Sequence, residues 1–299
     1  MMVAWIAFAA VCAILAGLGW LGWGRRSSWQ KVSGWEVIPE DQKAWELACR
    51  EEFSALVDGP FIQWLGHGSV RIDWAGSRLL VDPNRSRCVK VAPRWFDKPC
   101  LGPGEEVDAV LITHAHMDHL DEGTLRNVKA TRLLVPEKTE DFVSRSTRER
   151  HLLERIQIGQ SIAVGDLSIV PVKARHGGWR YPWQKGYFSC GYIIRNGEDS
   201  LYVAGDTAWG DHFDEIGRVH YPRWAILPIG AYSPRFFLKE RHLNPEEALE
   251  AADRLGVEYV VPCHFGTFRL SVEPMSEPLL RFSGGAQARG RKWLLPVGK

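Results

Sequence analysis

Six cysteines in 299 residues (Cys12, Cys49, Cys88, Cys100, Cys190 and Cys263) stand far apart, with no paired spacing. That scatter excludes a disulfide scaffold and a clustered structural zinc site. Reduced thiols in a cytosol-facing domain fit it best. An excess of charge is also missing: 37 Lys+Arg against 36 Asp+Glu leave a net charge of +1. A nucleic-acid binder working through bulk charge would be far more basic, so no nucleic-acid partner is expected. There is no repeat of solenoid period and no low-complexity run. With 45% hydrophobic and 24% charged residues, disorder, collagen and coiled coil are excluded as the main architecture. What the chain does hold is 10 His, 29 Gly and 14 Trp. Histidine serves chemistry, glycine serves turns, and tryptophan serves apolar or interfacial contacts.

One long hydrophobic run is present. Residues 3–23 carry no charge, and as a helix they match the roughly 20 residues that span a bilayer. Trp5, Trp20 and Trp23 lie near its ends. No Lys or Arg precedes it, and it exceeds a signal-peptide core, which favours an uncleaved anchor over residues 1–24. Arg25, Arg26 and Lys31 follow, so the positive-inside rule puts the remainder in the cytoplasm. The expectation is a membrane-anchored protein with a single amino-terminal transmembrane helix.

Residues 25–59 read as a connector with a helix over 41–56, where Trp45, Ala48, Cys49, Phe53 and Leu56 share one side. From Pro60 the pattern turns to short strands: 61–65, 69–74, 78–82, 107–113, 132–135, 156–158, 161–164, 167–172, 187–195, 200–204, 224–229 and 259–262. Residues 145–154 are charged, as a helix or loop. Asn196-Gly197-Glu198-Asp199 signals a hairpin. Residues 245–255 are a helix with clear punctuation: Asn244 as N-cap, Pro245 at its first position, Gly256 beyond its end. The main domain is set at 60–282, and 283–299 is read as a short basic tail.

The strongest signal is His114-Ala115-His116-Met117-Asp118-His119, delivered by an apolar strand. Four metal-capable side chains fall within six residues, and imidazole with carboxylate suits zinc. Around it the chain resembles the metallo-β-lactamase superfamily. Within that superfamily it resembles the N-acylphosphatidylethanolamine-hydrolysing phospholipase D group and its bacterial relatives. The similarity runs over residues 60–282. It includes Gly66-His67-Gly68-Ser69, Val81-Asp82-Pro83, Ala204-Gly205-Asp206-Thr207 and Pro228-Ile229-Gly230-Ala231-Tyr232. It continues through His242-Leu243-Asn244-Pro245-Glu246-Glu247 and His264-Phe265-Gly266-Thr267-Phe268.

The resemblance implies an α+β fold, an αβ/βα sandwich, with two Zn2+ at one edge. It implies that His114, His116 and His176 hold one zinc, that Asp118, His119 and His264 hold the other, and that Asp206 bridges both. Two such ions lower the pKa of a shared water and offset charge on the substrate. A β-lactam substrate is not expected. The β-lactamase subclass with a cysteine ligand has Cys where Asp206 falls, and Cys263 only neighbours a ligand.

Asp118, Asp206 and His242 are the candidate catalytic residues. His242 precedes a helix amino end, placed to bind a phosphoryl oxygen or to protonate a leaving alkoxide. Asp82 and His67 read as supports of the ligands. In Gly177-Gly178-Trp179-Arg180-Tyr181-Pro182-Trp183-Gln184-Lys185, aromatics alternate with cations, as at a lipid headgroup boundary or folded onto the body. Tyr232, Arg235 and Phe236 are candidates to line the same edge. The expected function is a zinc phosphodiesterase of phospholipase D type, with a phospholipid and a membrane as partners. A lactonase, a hydrolase of soluble phosphodiesters and a non-catalytic metal-binding membrane protein are the alternatives. Assembly as a homodimer is left open.

Overall fold

The computed structural model describes residues 59–95, 106–181, 183 and 188–295. One sheet has the order β1 (Phe61–Gly66), β2 (Ser69–Trp74), β3 (Ser77–Val81), β6 (Glu106–Leu111), β7 (Lys129–Pro136), β8 (Leu152–Ile156). Between β3 and β6 in sequence lies a small hairpin of β4 (Cys88–Val89) and β5 (Ala92–Pro93). The other sheet has the order β15 (Lys292–Trp293), β14 (Tyr259–Cys263), β13 (Trp224–Pro228), β12 (Asp199–Val203), β11 (Cys190–Asn196), β10 (Leu167–Lys173), β9 (Ile162–Val164).

The two sheets share one apolar core. Ile62, Trp64, Ile72, Leu79 and Leu111 from the first meet Ile169, Tyr192, Leu201 and Ile226 from the second. The outer face of the first sheet is also buried: Val110, Ile112 and Leu133 pack with Leu125 of α1 (Glu122–Leu125). Strand β6 is thus covered on both faces, which is why it reads as a continuous apolar run. After α2 (Arg145–Arg148), the longer helices α3 (His212–His220), α5 (Pro245–Leu255) and α6 (Glu277–Ala288) group on the second sheet, with α5 touching β13 and both other helices. The single-turn α4 (Arg235–Leu238) leads into α5. The expected punctuation of α5 is present. Asn244 caps Glu247 N–H, the Glu247 side chain returns to Asn244 N–H, and Gly256 closes the end in a left-handed conformation.

Strand direction places the site. Strands β1 and β3 both run antiparallel to β2, and β3 is parallel to β6. Likewise β10 and β12 both oppose β11, and β12, β13 and β14 are parallel. The carboxyl ends of β1, β3 and β6 therefore open on one edge, and those of β10, β12 and β14 on one edge of the partner sheet. His67, Asp82 and His114 follow the first three; His176, Asp206 and His264 follow the second three.

Two expectations need correction, and one helix has no counterpart in the sequence reading. The expected anchor (3–23) and the expected helix at 41–56 lie outside the described residues. Among the described residues no helix is long and apolar enough to cross a membrane. The longest, α6, has 12 residues; it spans about 18 Å, against a hydrocarbon core of about 30 Å. Membrane anchoring with a cytoplasmic catalytic domain is accordingly withdrawn. The boundary at 282 also fails, because α6 runs through it and β15 adds a strand to the sheet. Gly284 and Gly285 look like a tail, yet Gly285 is what lets α6 close on α5: a Cβ there would lie 2.6 Å from Leu249 Cδ1. Finally, α3 was not legible as a helix; it is short, and Gly217 interrupts its apolar positions.

One close approach ties the fold to the site. A Cβ on Gly230 would lie 2.2 Å from the His264 carbonyl oxygen. Gly230→Ala should destabilise the protein by about 2–3 kcal/mol. That corresponds to a fall of about 5–10 °C in the thermal unfolding midpoint. An unchanged midpoint would show that this loop yields freely.

Candidate metal centre

Beneath the site lies a buried carboxylate. Asp82, just past β3, accepts Thr113 N–H (2.7 Å), the Thr113 hydroxyl (2.6 Å) and His119 Nδ1 (2.7 Å). With its own proton committed to Asp82, Thr113 Oγ1 accepts from His114 Nδ1 at 2.9 Å. His176 Nδ1 donates to the Arg241 carbonyl at 2.8 Å. Each of these bonds fixes the tautomer of a ring and turns its Nε2 lone pair inward.

Two donor groups result. In the first, His116 Nδ1 lies 3.0 Å from His114 Nε2 and 3.1 Å from His176 Nε2. Asp206 Oδ2 stands 3.6 Å from His114 Nε2 and 3.7 Å from His176 Nε2. In the second, His119 Nε2 and His264 Nε2 each lie 3.5 Å from Asp118 Oδ2. Asp206 meets this group as well, with Oδ2 3.2 Å from His119 Nε2 and Oδ1 3.2 Å from His264 Nε2. One carboxylate thus faces both groups.

The donor set fits divalent metal. His119 Nε2, His264 Nε2 and Asp206 Oδ1 are buried without a hydrogen-bond partner in the fold. A proton on His116 Nδ1 can serve only one of the two nitrogens facing it, whereas a cation serves all three. Separations of 3.0–3.7 Å suit donors around an ion with bonds of about 2.0–2.2 Å. His67, Asp82 and His264 hold positive φ angles of 54°, 44° and 59°. Such non-glycine conformations concentrate at functional sites.

Residues 77–265 match the family model of the beta-lactamase superfamily domain. The chain belongs to the metallo-β-lactamase superfamily. Within the superfamily it groups with metal-dependent hydrolases. It is 32% identical to a metal-dependent hydrolase of Methanopyrus kandleri, over 69% of this chain and 84% of that protein. An uncharacterised protein of Mycobacterium tuberculosis is also 32% identical, over 76% of this chain; the match spans only 64% of that longer relative. The N-acyl-phosphatidylethanolamine-hydrolyzing phospholipase D 1 of Caenorhabditis elegans is 26% identical, over 78% of this chain and 72% of that one. An isothiocyanate hydrolase from Delia radicum gut bacteria shares the fold, with a TM-score of 0.61 at 20% identity over 80% of this chain and 95% of that one.

All seven residues expected as superfamily metal ligands meet at this edge, and His242 joins them. Its Nδ1 lies 3.9 Å from Asp206 Oδ2. Asp82 bonds to His119 Nδ1 at 2.7 Å, and His67 Nε2 donates to Asp118 Oδ2 at 2.8 Å. Cys263 is buried, and burial pushes its thiol well above the usual range, away from the thiolate a metal needs. Tyr232 does not line the edge: its hydroxyl donates to Glu277 of α6. Arg235 instead clamps Glu247 and the His242 carbonyl. The Arg180 guanidinium, expected at a headgroup, donates to the Ala115 and Leu120 carbonyls and braces the His-rich turn. No local pattern announces that role, because both acceptors are backbone about 60 residues away. Trp179 and Trp183 do project, at 54% and 78% exposure.

Burial by itself would lower every imidazole here. It prevails at His114, His176 and His242, and at His116, which falls to about 3 with His176 adding to the effect. At His264 burial is overridden by the Asp206 and Asp118 carboxylates, which lift it to about 9. At His119 the Asp206, Asp118 and Asp82 carboxylates likewise override burial and raise it well above its ordinary value. Burial would raise Asp206, but His119 and His264 hold it well below the carboxylate range. Proton and metal therefore compete for the same lone pairs.

The stabilisation that the metal-free fold draws from His264 is complete below pH 6.5 and is lost as pH rises through about 9. His116, at about 3, and His67, at about 4, act oppositely: their contribution is present above pH 6.5 and is lost as pH falls towards those values. Metal-free protein should unfold at the highest temperature near pH 6.5, with the midpoint falling on both sides. Zinc binding at pH 7.5 should release protons from His119 and His264, measurable by calorimetry in buffers of different ionisation enthalpy. Binding without proton release would remove both residues from the ligand set.

Proposed function

We propose that the protein is a dinuclear zinc hydrolase of phospholipase D type. Its substrates would be N-acylphosphatidylethanolamine-like lipids, cleaved to N-acylethanolamine and phosphatidic acid. His114, His116 and His176 would hold one zinc, Asp118, His119 and His264 the other, and Asp206 would bridge. Two zinc ions, when bound, acidify water and offset negative charge on substrate oxygens. The remaining work falls to the chain. Asp118, held by His67, would orient the attacking water. Water would add to phosphorus, the bond from phosphorus to the ethanolamine oxygen would break, and that oxygen would take the proton that the water loses, passed on by Asp118.

The observation that carries the phosphodiester reading is His242. It is a buried group beyond the seven ligands, facing Asp206, with Nδ1 unpartnered in the fold. Its carbonyl is pinned by Arg235 Nη1 at 2.9 Å, just before the amino end of α5. A phosphate brings more oxygens than two metals cover, and a neutral imidazole donates an N–H to one of them. Burial keeps the ring neutral, which favours this role over proton donation to the alkoxide. The nematode phospholipase D relative supports the same substrate class. So do the exposed Trp179, Trp183, Phe236 and Phe237, which suit acyl chains.

Purified protein should bind two zinc ions per chain, and Asp206→Asn should weaken both sites and abolish hydrolysis. One tightly held metal with unchanged activity in that variant would sink the dinuclear reading. His242→Gln should leave zinc content unchanged and lower turnover by about 10². The loss should be equal on the lipid and on a nitrophenyl phosphodiester. A loss confined to the lipid would make His242 the proton donor. In ¹⁸O-water the label should enter phosphatidic acid; label in a carboxylate would replace this reading with a lactonase or esterase.

A further inference from the structure

Behind the second donor group lies a small cavity of about 20 Å3, lined by His67, His264, Gly230, Ala231, Phe268 and Pro274 among others. That volume is on the order of one water. Both histidines are 98% buried, at 2% exposure each. Their rings sit 4.0 Å apart between centroids, tilted by 43°. In each ring Nε2 is turned to carboxylates: His67 Nε2 to Asp118 Oδ2 at 2.8 Å, and His264 Nε2 to Asp206 Oδ1 at 3.2 Å. In each ring Nδ1 is buried and bonds to no other group of the protein. Two rings that line one cavity and each carry such a nitrogen call for a shared partner, since an unsatisfied buried polar atom costs about 1–3 kcal/mol.

Donor and acceptor roles narrow that partner. His67 must carry its proton on Nε2 to donate to the Asp118 carboxylate, so its Nδ1 is an acceptor. His264 must offer a lone pair at Nε2 to ligate metal, so its Nδ1 carries the proton and is a donor. The two rings that line one water-sized space thus hold one free acceptor and one free donor. We infer that this cavity is a binding site for a single water, which donates to His67 Nδ1 and accepts from His264 Nδ1–H. The relay runs from Asp118 through His67 and the water to His264, and so couples two ligands of the same metal. His67 is then a positioning residue for both. Its place is fixed by the backbone. His67 N–H donates to Thr267 Oγ1 at 2.6 Å, and His67 O accepts from His264 N–H at 2.8 Å. The Gly-His-Gly turn and the loop after β14 are therefore tied together.

This inference rests on the dinuclear reading, and the experiment separates the two. Zinc is titrated into metal-free protein against a chromophoric chelator, with wild type, His67→Gln and His67→Ala compared. Gln keeps an N–H directed at Asp118 and loses Nδ1; Ala loses both arms. His67→Gln should weaken the second zinc by about 10-fold, and His67→Ala by up to about 100-fold. The first zinc should be held as in wild type. Equal weakening of both zincs would mark His67 as merely structural, and a wild-type second site in His67→Gln would remove the water arm. Failure of wild type to bind a second zinc would instead overturn the dinuclear reading. ¹⁵N spectra of zinc-loaded wild type test the relay without any variant. His264 Nδ1 should be protonated and His67 Nδ1 unprotonated, with an exchangeable water proton close to both. The opposite tautomer at His67 overturns the proposal.

Discussion

Everything at this edge follows from a single constraint: several imidazoles and three carboxylates are packed within a few ångströms, out of water. At His114, His119 and His176 the inward nitrogen is a lone-pair donor because the outward one is already bonded. Lone pairs facing lone pairs in a dry site repel, and protons relieve that only partly. The opposite directions in which the histidines are pushed show the frustration. His264 is drawn up to about 9 by the carboxylates while His116 is driven down to about 3 by burial and its neighbours. Divalent cations resolve both tendencies at once, since they neutralise the carboxylates and use every lone pair.

The surrounding fold is organised to hold that arrangement still. Asp82 binds Thr113 and His119 and, through the Thr113 hydroxyl, His114. Arg180 braces the turn between them from the far side by two backbone carbonyls. The second sheet contributes His176, Asp206 and His264 from loops whose strands share a direction. Rigidity of this kind keeps donors in place for metal. Among the described residues the exposed aromatics include Phe236 at 93% and Trp183 at 78% exposure.

Much of this was legible in the sequence, for identifiable reasons. The six-residue His/Asp cluster is local, and the strand that delivers it, buried on both faces, is apolar throughout. Helix α5 announces itself through Asn244, Pro245 and Gly256, because capping is a short-range interaction. His176, Asp206 and His264 are single residues in loops, and only their order within a recognisable family pattern singled them out. Helices α3 and α6 escaped notice because glycines interrupt them, and Gly217 and Gly285 make sense only against the neighbouring α5. The hydrophobic run at residues 3–23 has the composition of a span, but composition by itself did not establish anchoring.

What the sequence by itself determined is the inventory: which residues can bind metal, which strands carry them, and which family the pattern belongs to. Those properties reside in residue type, periodicity and nearest neighbours. Only the tertiary structure decided which nitrogen of each ring points inward, that Asp206 faces both donor groups, and that Arg180 braces a turn. It alone showed that His67 and His264 share a cavity. These are contacts between residues as many as 200 positions apart, such as His67 with Thr267. Their geometry exists only once two sheets have closed on each other.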